Sequence, residues 1–307
     1  MIVLTGSTGF IGSELTKSLV DEKFFLLKLH ESSFLNDEYI YVKKPGDLKN
    51  YSHLFDEDSV IIHLAGIAHT AKTSSDELER INVKYPVELF EVASKLNFKR
   101  FVFVSSIGVN GSSTKFYSPY TDVSNPSPHN KYSDSKYRAE LKLKELAIST
   151  NVELVIVRPP LVYGHNAPGN FGSLVSLVSK FPFLPFGLAR NKRSFISVQN
   201  LVDLLITCAK HPCAAGNTFL ASEGQAISIK EFTDAIAKGL SKKVIQLPIP
   251  VELMRFLGAL FGKSTLIDQL FGNLEVDSSN VQKVLGWIPP LTMEQAMSSL
   301  KSRENKR

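Results

Sequence analysis

Thr5-Gly6-Ser-Thr8-Gly9-Phe10-Ile11-Gly12 is the stretch that decides the fold. Ile2-Val-Leu4 before it reads as a short buried strand, and Ile11, Leu15 and Leu19 after it recur at helical spacing. Strand, glycine turn and helix in that order is the setting a dinucleotide-binding fingerprint requires. Gly6 permits the tight turn, Gly9 lets the backbone approach a pyrophosphate, and Gly12 allows close packing of helix on strand. The helix N-terminus then offers unpaired N–H groups to phosphates, with Thr8, Phe10 and Ile11 alongside. A glycine-rich turn without a ligand is the rival reading, and the flanking pattern argues against it.

Working outward, Phe24-Phe-Leu-Leu-Lys-Leu29 is a second buried strand, and its end bears on the cofactor. An acid about 20 residues past the glycines would hold the adenosine ribose. His30 occupies that place, with Lys28 before it and Glu31 after. Without a carboxylate at the strand end a 2′-phosphate is not repelled, so NADP is slightly favoured over NAD, although Glu31 has the reach to touch the ribose. Tyr39–Val42, Val60–Leu64, Arg100–Ser106 and Val152–Val157 continue the strand series, with a long helix expected from about Asp76 to Asn97. The expected class is α/β, a doubly wound parallel sheet. Asp47, beside Leu48, either meets an adenine amino group or caps a helix. Leu64-Ala65-Gly66 ends its strand in small residues, which suits backbone that passes close to a cofactor.

Ser105 and Ser106 sit at the carboxyl end of a strand, where open α/β sheets bind ligands; a serine capping the next turn is the plainer alternative. The Ser-, Pro- and Asn-rich loop from Ser112 to Asn130 should drape near that edge. Tyr132-Ser-Asp-Ser-Lys136 follows. On a helix, residues four apart share a face, so the Tyr132 phenol and the Lys136 ammonium enter the same space. A phenol of pKa ~10 is a poor proton carrier at neutral pH, and a neighbouring cation is expected to lower it. Any amphipathic helix can carry Tyr and Lys at this spacing. The pair gains meaning from the glycine turn upstream and the serine-bearing strand end between them.

The chain has 307 residues, 43% hydrophobic and 21% charged, with a formal charge of +5 and a pI near 9.0. These values suit a globular enzyme with an anionic ligand, and the basic residues are too scattered for nucleic acid. Cys208 and Cys213 form no disulfide framework and are expected to be at least partly buried. The histidines, His63 and His69 included, lack metal-ligand spacing, so no metal is expected. No leader or membrane-spanning run is visible, and the expected compartment is the cytoplasm. Beyond Tyr163-Gly164 the βα alternation stops. The expected division is a nucleotide-binding domain over 1–162, with 195–220 returning to it, and a smaller lobe over 163–194 and 221–307. Phe256, Leu257, Leu260 and Phe261 form a helical stripe expected to pack in the core, a membrane surface being the alternative.

Thr5-Gly6-x-x-Gly9-Phe-x-Gly12, Ser106, Tyr132-x-x-x-Lys136 and Arg158-Pro159-Pro-Leu-Val-Tyr-Gly164 occur in one order. Together they resemble the extended short-chain dehydrogenase/reductases, the NAD-dependent epimerase/dehydratase family acting on nucleotide sugars. The resemblance implies a Rossmann domain with a C-terminal substrate lobe. It makes Tyr132 the general acid/base, Ser106 the hydrogen-bond donor to the reacting oxygen, and Lys136 the ligand of the nicotinamide ribose. Asn82 would support this site, a helix-capping role being the equal alternative, and Pro159 would lie with the cofactor set. Asn170, the turn at Phe186 and Arg193 would hold a UDP-sugar, Arg193 on the diphosphate; a surface charge is the plain alternative for that arginine. A homodimer through helices flanking the site is also compatible.

Departures narrow the activity. Dehydratases of this family follow the catalytic hydroxyl with an acidic pair, whereas Ile107-Gly108 stands here. Asn110 occupies a place where many relatives carry tyrosine. The Ser105-Ser-Ile-Gly-Val-Asn-Gly111 run and the Leu285-Gly-Trp-Ile-Pro-Pro290 ending are similar to a bacterial surface-polysaccharide subgroup. That subgroup implies NAD(P)H-dependent reduction of the C4 ketone of a UDP-4-keto-6-deoxy-N-acetylhexosamine, giving a UDP-N-acetylquinovosamine-type product for O-antigen synthesis. The alternative is a UDP-hexose or UDP-N-acetylhexosamine 4-epimerase. A non-catalytic dinucleotide sensor is the third reading, and a complete Ser106, Tyr132 and Lys136 set argues against it.

Overall fold

The structure, a computed structural model, describes residues 1–19, 22–29, 39–68 and 73–301. His30, Glu31, His69 and the basic tail from residue 302 lie outside the described residues, so the cofactor reading placed on His30 has no structural counterpart here. In chain order the first half runs β1 (Ile2–Thr5), α1 (Phe10–Ser18), β2 (Phe24–Leu29), β3 (Tyr39–Val42), β4 (Val60–His63), α2 (Ser75–Leu78), α3 (Tyr85–Lys95), β5 (Arg100–Val104), α4 (Lys131–Ile148) and β6 (Glu153–Arg158). The second half runs β7 (Leu161–Tyr163), α5 (Asn170–Lys180), β8 (Phe183–Leu184), β9 (Phe195–Ser197), α6 (Val198–Lys210), β10 (Thr218–Leu220), α7 (Ile229–Gly239), β11 (Ile245–Gln246), α8 (Val251–Leu260), α9 (Ser264–Phe271), α10 (Ser279–Leu285) and α11 (Met293–Ser298).

Seven parallel strands form one sheet in the order β3-β2-β1-β4-β5-β6-β10. The chain winds outward from β1 to β3, then returns to β4 on the other side of β1. The crevice at that switch point opens at the carboxyl ends of β1 and β4, where a doubly wound sheet binds its ligand. Side-chain alternation sorts the strands onto two faces. Leu4, Leu26, Ile62, Val102 and Val155 meet Leu15 of α1 and Leu201, Leu204 and Leu205 of α6. Val3, Leu27, Ile61, Phe101, Phe103 and Ile156 meet Leu89 and Phe90 of α3 and Ala139 and Leu143 of α4. Both faces are covered, so the strands read as unbroken apolar runs rather than alternating ones.

At the opposite end of the sheet, Arg100 is buried and its Nη1 donates to the carbonyls of Cys208, Ala209 and His211, at 2.8 to 3.0 Å. Its Nε and Nη2 bind Glu153, so one side chain satisfies the C-terminal carbonyls of α6 and fixes that helix to the sheet. Burial pushes the Cys208 thiol up to about 12. Cys213, expected to be partly buried, is exposed in the short turn after α6.

The helix expected from Asp76 to Asn97 is interrupted. Between α2 and α3 lies a π turn, Glu79–Lys84. Pro86, at the start of α3, has no N–H for the carbonyl of Asn82 four residues earlier, and its ring crowds that oxygen. The ladder therefore shifts to longer bonds over this turn, and Asn82 is turned inward, fully buried.

The smaller lobe has its own aromatic core. The Phe195 and Phe232 rings stack at 3.9 Å, and Tyr163, Phe171, Phe186 and Phe271 close around them. Within the stretch 195–220, β9 pairs with β7 in a small separate sheet, α6 covers the large sheet, and β10 is that sheet's outer strand. The stripe on α8 does not pack in the core as expected. Phe256, Leu257, Leu260 and Phe261 are exposed, because only Gly258 of that helix is buried, against Ile267 of α9.

Candidate active site

The crevice begins at the glycine turn. Gly6 has φ +76°, and a Cβ on it would stand 2.7 Å from the Ala65 backbone nitrogen. A Cβ on Gly12 would stand 2.1 Å from the Gly6 carbonyl oxygen. No residue with a side chain fits either place, and the turn is pressed against the end of β4 as a result. Helix α1 starts at Gly9 with no side-chain cap and no acidic residue in its first turn, which leaves its leading N–H groups for an anion. Thr5 joins the two strand ends: its Oγ1 accepts from the Ala65 N–H at 3.3 Å and lies 2.8 Å from His63 Nδ1. His63 is fully buried, and loss of water, reinforced by the charge of Lys136, holds its pKa well below the usual range.

On the other side of β4 stands α4. Asn130 and Ser133 form a reciprocal capping box that fixes where the helix starts and sets Tyr132 in its first turn. Lys136 follows one turn later, 3% exposed, and donates from Nζ to the Val104 carbonyl at 3.0 Å, with the ammonium 4.7 Å from the centre of the Phe103 ring. Ser106 follows β5. Its Oγ accepts from the Gly108 N–H at 3.1 Å, capping a short 3-10 turn, and so keeps its own hydrogen for another acceptor. Asn82 ties the two sides together: Oδ1 accepts from Ile67 N–H, and Nδ2 donates to the Ile67 carbonyl and to Ser135 Oγ. A Cβ on Gly66 would lie 3.2 Å from both Asn82 Oδ1 and Lys136 Nζ, so only a glycine leaves these groups their room. Ser105 Oγ is buried without a partner.

The electrostatics differ from expectation in one respect. Burial pushes the Lys136 ammonium down to about 8, with nearby Glu140 opposing the shift. Burial likewise raises the Tyr132 phenol above its usual value rather than lowering it. Lys136 spends its hydrogen bond on Val104, and among the chain's own groups desolvation outweighs any pull on Tyr132.

The spacing Tyr132, Lys136, Glu140 extends the same helical face by one more turn. Glu140 is buried and grips Arg158 of β6 through Nε (2.9 Å) and Nη2, while Arg158 Nη1 donates to Asn110 Oδ1 at 3.0 Å. This clamp joins α4, β6 and the turn after Ser106. Sequence reasoning missed it, although Glu140 lies four residues past Lys136, and the Asn110 departure was visible.

The remaining expected residues are less uniformly placed. Asp47 Oδ2 accepts from the Lys43 and Lys44 N–H groups and caps a 3-10 helix, the simpler of its two readings. Leu48 is buried in the core beneath it. Leu64 and Ala65 border the crevice, and the Pro159 carbonyl accepts from Ile107 N–H. Thr8, Gly9 and Phe10 line a cleft of about 490 Å³ that continues past Ser13 to His165 and Gln199. In the lobe, Asn170 donates to Gln269 at 3.3 Å, and Phe186 is buried against Phe271 with ring centres 5.8 Å apart. Arg193 is half-buried; Nη1 donates to the Gly272 carbonyl at 3.0 Å, and burial holds its pKa down to about 10. Among the described residues, no carboxylate pairs with it.

The turn, the bare helix N-terminus, the glycine gap beside Lys136 and the unpartnered Ser105 hydroxyl fit a dinucleotide. A UDP-glucose 4-epimerase of Vibrio cholerae is 40% identical over 303 residues, covering 96% of this chain and 92% of that protein. A dTDP-4-dehydro-6-deoxyglucose reductase of Escherichia coli is 22% identical, covering 97% of this chain and 96% of that protein. The UDP-N-acetylglucosamine 4-epimerase structure from Bacillus cereus shares the fold with a TM-score of 0.78 at 19% identity, over 98% of this chain and 97% of that one. The family model of the NAD dependent epimerase/dehydratase family matches residues 2–220, and the chain belongs to that family.

Proposed function

We propose that this chain inverts the configuration at C4 of a UDP-hexose or UDP-N-acetylhexosamine. The observation that carries the reading is the 40% identity to a UDP-glucose 4-epimerase along nearly the whole of both chains. It favours the epimerase over the 4-ketoreductase that the subgroup motifs suggested first. Residues 1–162 with 195–220 form the nucleotide half in this reading, and 163–194 with 221–307 hold the sugar nucleotide.

A bound nicotinamide supplies the hydride acceptor and donor for C4. Tyr132 Oη takes the proton of the C4 hydroxyl as the ketone forms and returns it when the opposite face is reduced. Because its own pKa is raised by burial, Tyr132 depends on positive charge near its oxygen to work near neutral pH. Lys136 is the chain's source of that charge. Ser106 Oγ accepts from Gly108 N–H and donates its hydrogen to the sugar oxygen, which steadies the carbonyl. The Glu140–Arg158–Asn110 clamp holds the helix and the Ser106 turn in fixed relation. Arg193 offers its remaining N–H groups to the diphosphate, the geometry that suits a guanidinium.

The test is cofactor bookkeeping with the purified protein. UDP-glucose or UDP-N-acetylglucosamine should be interconverted with its C4 epimer without net change in nicotinamide absorbance. Stoichiometric loss of NADPH or NADH on UDP-4-keto-6-deoxy-N-acetylglucosamine, with neither UDP-sugar isomerised, would overturn the epimerase in favour of the reductase.

A further inference from the structure

Exposed large hydrophobic side chains are not spread evenly over this molecule. Eleven of the seventeen among the described residues fall in two segments, 181–188 and 245–266. The segments are joined by strand pairing: Phe183 of β8 lies in register with Ile245 of β11, and both are exposed. From β11 the chain passes through Leu247 and three residues into α8. Leu253, Phe256, Leu257 and Leu260 lie along one exposed stripe of that helix at intervals of three and four residues.

Phe261 and Gly262 then turn the chain. Gly262 has φ +64°, its N–H donates to Ala259, and Lys263 N–H donates to Gly258. These are the two bonds of a Schellman stop. The hairpin closes because α9 packs Ile267 onto Gly258, where a Cβ would stand 2.5 Å from Ile267 Cγ1. The stripe is therefore left outward by construction: the small residue faces the partner helix, while Phe256 and Phe261 are 64% and 70% exposed.

Charge around this face is one-sided. Residues 180–192 and 242–271 hold Lys180, Arg190, Lys192, Lys242, Lys243, Arg255 and Lys263 against two carboxylates, Glu252 and Asp268. Exposed apolar side chains on segments with an excess of cations suit a surface that is anionic outside and apolar a few ångströms in. No helix among the described residues is long and apolar enough to cross a membrane, so the contact is interfacial.

We infer that the β8–β11 ribbon and the α8–α9 hairpin form a docking face for an anionic phospholipid bilayer. The stripe on α8, with Phe261, enters the headgroup boundary, and Arg255 and Lys263 meet lipid phosphates. The same hairpin connects to the sugar-nucleotide side of the lobe, since Gln269 of α9 accepts from Asn170 and Gly272 accepts from Arg193. Docking would thus hold the proposed substrate entrance near the membrane surface.

The test is co-sedimentation of the full chain with vesicles of phosphatidylglycerol and phosphatidylcholine, and with phosphatidylcholine alone. The protein should bind the anionic vesicles, and binding should weaken with added salt. Phe256→Ser with Phe261→Ser, at two exposed positions, should lower the affinity at least about tenfold. Arg255→Glu with Lys263→Glu should remove the preference for phosphatidylglycerol. Absence of binding, or equal binding by both double variants, would overturn the proposal. So would light scattering that shows a dimer which the phenylalanine variant splits, because the face would then belong to a second copy.

Discussion

Two arginines, Arg158 sealed in the sheet and Arg193 half-buried in the lobe, mark a closed polar region and an open one. Arg158, on the sheet, is 3% exposed and places Nε and Nη2 on Glu140 and Nη1 on Asn110. Arg193, in the lobe, places one N–H on the Gly272 carbonyl and meets no carboxylate among the described residues. A guanidinium carries five donors and keeps its charge at any ordinary pH. A buried one is costly unless those donors are used. At Arg158 the fold itself uses them, so that residue is architecture. At Arg193 most are left over, which suits the proposed role on a diphosphate supplied from outside the chain.

The largest effect should fall on the crevice between the two regions. Tyr132→Phe should lower turnover by ~10² to 10⁴-fold, while titration with cofactor gives an affinity close to that of the wild type. Turnover retained in that variant would take the phenol out of the proposed chemistry. The arginines should then separate. Arg158→Met strands the Glu140 carboxylate in the core and should cost about 3 to 5 kcal/mol in urea unfolding. Arg193→Met should cost under ~1 kcal/mol by the same measurement, yet raise KM for the UDP-sugar by ~10- to 100-fold with little change in kcat. Similar unfolding losses in the two variants would erase the contrast.

A smaller effect sharpens the same contrast through pH. The Lys136 pKa is about 8 in the folded chain against an ordinary value of 10.5. Between those values the unfolded chain binds the proton and the folded chain does not, so stability rises with pH across that window. The gain is complete above the ordinary value and is lost as pH falls through about 8. The wild type should gain about 2 kcal/mol from pH 8 to 9.5 relative to Lys136→Met, measured by denaturant midpoints. Parallel pH curves would mean that the ammonium is not desolvated.

The large sheet was legible because its strands are short apolar runs and its glycine turn has a steric logic that needs no tertiary knowledge. Ser106, Tyr132 and Lys136 were legible as candidates for the same reason: strand ends and helical spacing place them without knowing what packs beside them. The Glu140–Arg158 pair was not, since eighteen residues separate the partners and only the folded sheet brings them together. The stripe at Phe256 misled in the opposite direction. Helical periodicity reveals an apolar face, but whether anything covers it depends on the neighbouring helix, and here the neighbour meets Gly258 instead. Phe186, expected beside the substrate, has its ring in the aromatic core, and a loop aromatic carries no local sign of which way it turns.

The π turn at Glu79–Lys84 acts as a phase shifter. Each residue of an α-helix advances the chain by about 100° around the axis, and a turn that closes on five residues absorbs one more than usual. Everything upstream is therefore rotated relative to α3, which lets Asn82 face Ser135 while Leu89 and Phe90 still face the sheet. Deleting one residue there should straighten the rod and swing that amide out of the crevice, so the length of the segment matters as much as its residues.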